Sequence, residues 1–168
     1  MTKPAAFLDR DGTLNLDKGY VHTVRDFEWL KESKEAIKLL NDNNFYVIVV
    51  TNQSGIARGY YNEEDVVKIH NYMNTQLKKL NAHIDDFFYS PYHPQGLTNE
   101  YDHLLTLRKP NIGMLELAHK KWNINKENSF MIGDKIHDVE CGKKFGIKSY
   151  LFDPSKSSLL GLVNSIIN

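Results

Sequence analysis

Five short apolar runs, separated by helical patterns, constrain this chain more than any other feature. They are Ala5–Leu8, closed by Asp9; 45–50, closed by Thr51; 86–89; 129–132, running into Gly133-Asp134; and 150–152. Continuous runs of this length are what strands buried on both faces of a parallel sheet require. The stretches between them have helical spacing. Ala36, Ile37 and Leu40 form one apolar stripe. Val66, His70, Met73, Leu77 and Leu80 form another, with Asn62 placed to cap it and Glu63, Glu64 and Asp65 in its first turn. A third helix is expected to open at Pro110, with Leu115, Ala118 and Trp122 on one side. A fourth is expected over about 136–145, ended by Gly146, and Leu159, Leu160, Val163 and Ile167 mark a C-terminal helix. The alternation predicts an α/β fold with a mainly parallel sheet.

In such folds ligands bind beyond the carboxyl ends of the strands. Three of the runs end in Asp9, Thr51 and Asp134, which places three polar side chains on one rim. With 168 residues the chain is expected to form one domain, 1–168, carrying a loop insertion at about 90–109. Lys plus Arg and Asp plus Glu are equal at 21 each, which argues against a broad nucleic-acid-binding surface. No apolar run is long enough to span a bilayer, and the N-terminal one breaks at Asp9. The lone Cys141 excludes an intrachain disulfide, so a cytoplasmic location is expected.

The chemistry-bearing residues cluster at the ends of the runs. Asp9 and Asp11, in Asp9-Arg10-Asp11-Gly12-Thr13, point the same way from extended backbone. Two close carboxylates repel, which raises one pKa and can separate a nucleophile from a general acid. Thr51 and Asn52 offer a hydroxyl and an amide to phosphate oxygens. Arg108 and Lys109 offer two fixed positive charges. Asp134 and Asp138 offer hard oxygen ligands for magnesium, with the Lys135 cation between them in sequence. Taken one at a time these are an acidic turn, a helix cap, a surface pair and an acidic helix start.

Together they resemble the haloacid dehalogenase superfamily of phosphatases: FLDRDGTLN, Thr51 in VIVVTNQSG, Lys109 in RKP, and GDKIHD, in that order. The resemblance implies a three-layer αβα, Rossmann-like fold, and this chain has no room for a large cap domain. It implies that Asp9 attacks phosphorus, that Asp11 acts as general acid and then base, and that Thr51, Asn52 and Lys109 bind the phosphoryl oxygens. Magnesium would be held by Asp9, the Asp11 carbonyl and Asp134, with Asp138 orienting that set.

The likeness narrows to the heptose bisphosphate phosphatases, which are similar to histidinol phosphatases, through residues 15–22, TNQSGIARGY, HPQG, RKPNIGM and GDKIHD. It implies substrate contacts from Asp17, Lys18, Gly19 and Tyr20, from Thr51, Asn52, Gln53 and Ser54, and from Arg108, Lys109 and Lys135. The partner would be a small sugar phosphate, with no nucleic acid and no membrane, and the protein a monomer. Relatives hold a structural zinc in the loop, where this chain has Ser90, Tyr92, Leu105 and Leu107. None of these is a normal zinc ligand, so zinc is expected to be absent. His93 and His103 alone make a poor replacement site. The loop is expected to be held by apolar packing through Tyr92, Leu104, Leu105 and Leu107. His70 and His119 are read as packing or surface residues, His137 as a neighbour that could tune the acidic motif, and Cys141 as a small buried side chain. A regulatory module without catalysis is the competing class, but binding alone needs no general acid. A phosphotransferase would need a cap to exclude water.

Overall fold

The computed structural model describes residues 2–168. Alternate residues of β1 (Ala5–Leu8) enter two separate apolar layers, which makes β1 the centre of the molecule. Ala6 and Leu8 face a layer built with α1 (Ser33–Asp42), α2 (Glu63–Lys78) and α5 (Leu159–Ile167). Ala5 and Phe7 face a second layer built with α3 (Gly113–Trp122) and α4 (Ile136–Phe145). The five strands are all parallel, in the order β3-β2-β1-β4-β5, with β2 spanning Tyr46–Asn52, β3 Asp86–Ser90, β4 Phe130–Gly133 and β5 Lys148–Leu151. Helices cover both faces, so the parallel α/β fold expected from the alternation is the αβα sandwich that the resemblance implies, without a large cap.

The register sets the functional rim. Leu8 is level with Val49 on one side and Ile132 on the other. Asp9, Thr51 and Asp134 therefore leave the sheet together at its carboxyl edge. The chain turns from the β2–β3 half to the β4–β5 half on either side of β1, and that reversal opens the crevice at this edge.

Some boundaries differ from the expected ones, each for a local reason. β4 begins at Phe130, because the Ser129 hydroxyl is occupied, accepting from the Ala5 amide at 2.9 Å and donating to the Asn125 carbonyl at 2.5 Å. α3 begins at Gly113 rather than Pro110, because the Asn111 amide donates to the Arg108 carbonyl at 2.8 Å and closes a turn around the proline. β5 begins at Lys148, an edge strand whose exposed first residue breaks the apolar pattern. Asn62 caps α2 as expected, its side chain accepting from the Asp65 amide at 3.0 Å.

The loop after β3 is held differently from the expectation. Leu107 packs against the α3 layer, but Leu105 is 48% exposed. Backbone and polar links to the turn after β2 supply much of the hold: Leu97 N donates to the Ala57 carbonyl (2.8 Å), and Arg58 Nη2 to His93 Nε2 (2.9 Å). A short 3₁₀ segment, Asp102–Leu107, brings the chain back to Arg108. Among the described residues, no helix is long and apolar enough to cross a membrane.

Candidate active site

A cavity of about 240 Å³ opens at the carboxyl edge, lined by Asp9, Asp11, Asp17, Gly19, Tyr20, Thr51, Asn52, Gln53, Ser54, Tyr61, Lys135 and His137. Its floor is the Asp9 carboxylate, which rests on a buried ionic set. Lys109 is 2% exposed and its Nζ reaches three oxygens: Asp9 Oδ1 at 2.8 Å, the Val50 carbonyl at 2.6 Å and Asp138 Oδ1 at 2.7 Å. Burial pulls the ammonium toward its neutral form, but Asp9 and Asp138 outweigh it and its pKa lies above the ordinary lysine value. Burial pushes the Asp9 carboxyl up, and Asp138 and Asp134 add to that push, while Lys109 works against it. Breaking such a buried set by removing one partner costs more than the set is worth as an attraction, because a charge is left without water or partner.

Lys109 is fixed by its main chain as well. The Asn52 side-chain amide donates to the Lys109 carbonyl at 3.1 Å, and its oxygen accepts from the Lys109 amide at 3.0 Å. The Asn52 side chain, expected on phosphate, is thus committed to clamping Lys109. Asp138 is held from its other oxygen by the Lys135 amide at 3.0 Å, at the start of α4.

One ligand oxygen from each of Asp9, Asp134 and Asp138 fits within 4.8 Å, a spacing compatible with a cation. Asp134 Oδ1 is buried without a hydrogen-bond partner among the described residues, while Oδ2 pairs with Lys135 Nζ at 3.0 Å. An orphaned carboxylate oxygen facing two more carboxylates fits a hard divalent cation. Gly12 makes room for it: a Cβ there would collide with the Asp134 carboxylate, and its backbone has φ +85°.

Asp11 sits across from the floor. Arg10 Nη2 lies 3.0 Å from both its oxygens, Asn15 Nδ2 donates to Oδ1 at 2.9 Å and Gln53 Nε2 to Oδ2 at 3.0 Å. Arg10 is wholly buried, anchored also on the Val21 carbonyl at 2.8 Å. The Thr51 hydroxyl accepts from Gln53 Nε2 at 2.8 Å, which leaves its proton to donate.

At the mouth, Asp17, Gly19, Tyr20 and Ser54 line the cavity, as does Lys135. Lys18 does not: its ammonium pairs with Glu28 at 2.9 Å. Arg108 stands outside the lining set near the Tyr92 carbonyl (3.4 Å), close enough to Arg58 that burial and the second guanidinium lower its pKa. Neither arginine has a carboxylate within salt-bridge distance among the described residues. Burial, then Asp138 and Lys109 in opposite senses, act on His137, whose pKa falls below the usual value. Three residues here escaped the sequence reading: Arg10, Arg58 and Tyr61. Arg10 stands between two acids, where a charge reads as solvated. Arg58 and Tyr61 lie inside or just beyond TNQSGIARGY, and that segment was the available signal.

A family model described as polynucleotide kinase 3 phosphatase matches residues 4–147, which take in the floor, Asp11, the mouth and the start of α4. A relative from Haemophilus ducreyi, named D-glycero-beta-D-manno-heptose-1,7-bisphosphate 7-phosphatase, is 41% identical over 150 residues, covering 89% of this chain and 82% of its own. The chain belongs to this family of haloacid dehalogenase phosphatases. It is a phosphoric monoester hydrolase. Another phosphatase of the family, from Photorhabdus laumondii and named for the alpha anomer of the same bisphosphate, is 38% identical over 142 residues, covering 84% of this chain and 78% of its own. The haloacid dehalogenase fold itself is shared with the D,D-heptose 1.7-bisphosphate phosphatase from B. bronchiseptica, a structure described as complexed with magnesium and phosphate. The TM-score is 0.85 at 23% identity, over 98% of each chain.

Proposed function

We propose that this phosphatase removes the C7 phosphate of D-glycero-D-manno-heptose 1,7-bisphosphate through an aspartyl-phosphate, with magnesium. The observation that carries the chemistry is a buried carboxylate, Asp9, held by Lys109 at the floor of a cavity with Asp11 on its wall. The substrate rests on the names of relatives at about 40% identity across most of both chains.

Asp9 uses Lys109 on Oδ1, and its Oδ2 has no hydrogen-bond partner among the described residues, so Oδ2 is the oxygen available to act. In the first step Asp9 attacks phosphorus, the ester P–O bond breaks, and the electron pair leaves with the sugar oxygen, which takes a proton from Asp11. In the second, Asp11 takes a proton from water as the water attacks phosphorus, and the bond to Asp9 breaks. The Thr51 hydroxyl meets the phosphoryl oxygens, and the Lys109 ammonium, held behind Asp9, adds positive charge to the site. Asp9, Asp134 and the Asp11 carbonyl would hold magnesium, with Asp138 orienting them. When bound, the ion supplies positive charge that offsets repulsion between two anions. Asp17, Gly19, Tyr20, Ser54 and Lys135 surround the leaving group, and Arg108 at the mouth suits the second phosphate. The heptose monophosphate formed would serve nucleotide-activated heptose and surface polysaccharide. We place the enzyme in the cytoplasm as a monomer.

The test is phosphate release with magnesium from both anomers of the bisphosphate, from histidinol phosphate and from a 3′-phosphorylated oligonucleotide, with Asp9→Asn beside each. Strong preference for a heptose anomer is the expected result. The oligonucleotide belongs in the set because the matching family model is described by that activity. Preference for it or for histidinol phosphate would overturn the substrate assignment and leave the chemistry standing.

A further inference from the structure

The general acid in this reading, Asp11, is gripped by several donors, and one grip runs along the cavity wall to the turn after β2. Gln53 is 2% exposed, and its amide is fully used. Nε2 donates to Asp11 Oδ2 at 3.0 Å and to Thr51 Oγ1 at 2.8 Å, while Oε1 accepts from the Tyr61 hydroxyl at 2.6 Å. A glutamine amide can sit either way round, and turned over it would aim its oxygen at the Asp11 carboxylate. A donor on Oε1 opposes that reversal. Tyr61 is held in place to be that donor. Its ring lies against Gly55, where a Cβ would collide with it, and stacks on His22 with centroids 5.0 Å apart and planes at 4°. Burial keeps the phenol protonated, hence a donor, well above its usual range.

We infer that Tyr61, acting through Gln53, is a positioning residue that sets the Asp11 carboxylate for proton transfer to the leaving group. Gln53 then belongs to the support of Asp11 and Thr51 rather than to the substrate contacts. The inference rests on the proposed role of Asp11 as general acid. Arg10 contacts both oxygens of the same carboxylate and Asn15 contacts Oδ1, and beyond Asp11 these two side chains reach only the nearby Leu16 and Val21 carbonyls. The Tyr61–Gln53 chain ties Asp11 to the turn after β2.

A general acid matters most when the leaving oxygen is a poor anion. The experiment compares kcat/KM, which reports steps up to the first irreversible one, for heptose 1,7-bisphosphate and for p-nitrophenyl phosphate, whose leaving group is already stable as an anion. Tyr61→Phe keeps the ring on Gly55 and removes only the hydroxyl. The sugar-to-aryl ratio of kcat/KM is expected to fall about tenfold in Tyr61→Phe, a fraction of the ~10²–10⁴ that a general acid supplies. KM for the sugar phosphate stays near wild type. Asp11→Asn is expected to lower the same ratio further. Gln53→Met cuts the chain at its middle link and also frees Thr51, so both substrates slow, the sugar phosphate more. Equal losses on both substrates in Asp11→Asn would overturn the general-acid reading itself. A selective loss in Asp11→Asn with an unchanged ratio in both Tyr61→Phe and Gln53→Met would overturn this inference alone.

Discussion

At the floor of the cavity, Lys109 meets Asp9 at 2.8 Å and Asp138 at 2.7 Å in an almost wholly buried set; at the mouth, Arg58 touches Tyr20 at 3.2 Å and His93 at 2.9 Å beside side chains open to solvent. The floor charges are paired and clamped from the main chain. The mouth arginines have no carboxylate partner among the described residues. Buried charges are tolerated only when every partner is present, so the floor admits little variation. Exposed polar contacts are worth ~1 kcal/mol or less each, so the mouth can change at small cost to folding. One region is therefore suited to fixed chemistry and the other to selecting what reaches it.

The largest effects should fall on the floor. Asp9→Asn is expected to reduce phosphate release on the order of a thousandfold or more, read in a magnesium assay at saturating substrate. Wild-type turnover in that variant would sink the nucleophile assignment. Lys109→Met should abolish turnover on a similar scale and also destabilise the fold by about 3–5 kcal/mol, since it strands Asp9 and Asp138 without a cation. Urea unfolding measures that loss, and a shift below 1 kcal/mol would break the contrast between floor and mouth.

The mouth should respond in KM. Arg58→Ala is expected to raise KM about tenfold, with kcat held within about threefold and stability changed by roughly 1 kcal/mol or less. A collapse of kcat instead would place Arg58 with the chemistry. A subtler test uses His70, buried behind the mouth and stacked on Phe87 with ring centroids 4.2 Å apart. Burial, then Arg10, holds its pKa well below 6.5 in the folded protein. The unfolded chain thus binds the extra proton first, so this contribution is intact above about pH 6.5 and is lost as pH falls below it, by up to ~1.4 kcal/mol per pH unit. Unfolding curves between pH 5 and pH 8 should show that slope, and His70→Leu should flatten it. Last, zinc measured after exhaustive dialysis should stay far below one per chain. A full equivalent would mean that the loop is held by a metal rather than by Arg58, the Ala57–Leu97 backbone bond and Leu107.

The same contrast explains what could be read from the residues in order. β1, β2 and β4 each carry their own apolar run, and Asp9, Thr51 and Asp134 stand at the ends of those strands, so fold class and rim are legible locally. Asn62 announced α2 because capping is also local. β5 starts ahead of its apolar run, because an edge strand opening on exposed Lys148 lacks the buried pattern. The Arg10 burial, the Asn52 clamp on Lys109, 57 residues away, and the Arg58–His93 contact, 35 residues apart, were not legible. Such links have no periodicity and no motif, and they depend on where the sheet brings the chain ends together.

The Asn52 clamp has a consequence for how the molecule can change over time. Lys109 is the residue at which a long excursion re-enters the machinery, yet its position is dictated by β2 rather than by the twenty or so residues preceding it. The excursion is consequently exchangeable. A different segment spliced between Ser90 and Arg108, whether longer, shorter or gripping a metal, would deliver the same ammonium to the same place provided Asn52 remained. Descendants of such a chain can try new gates without rebuilding the engine behind them.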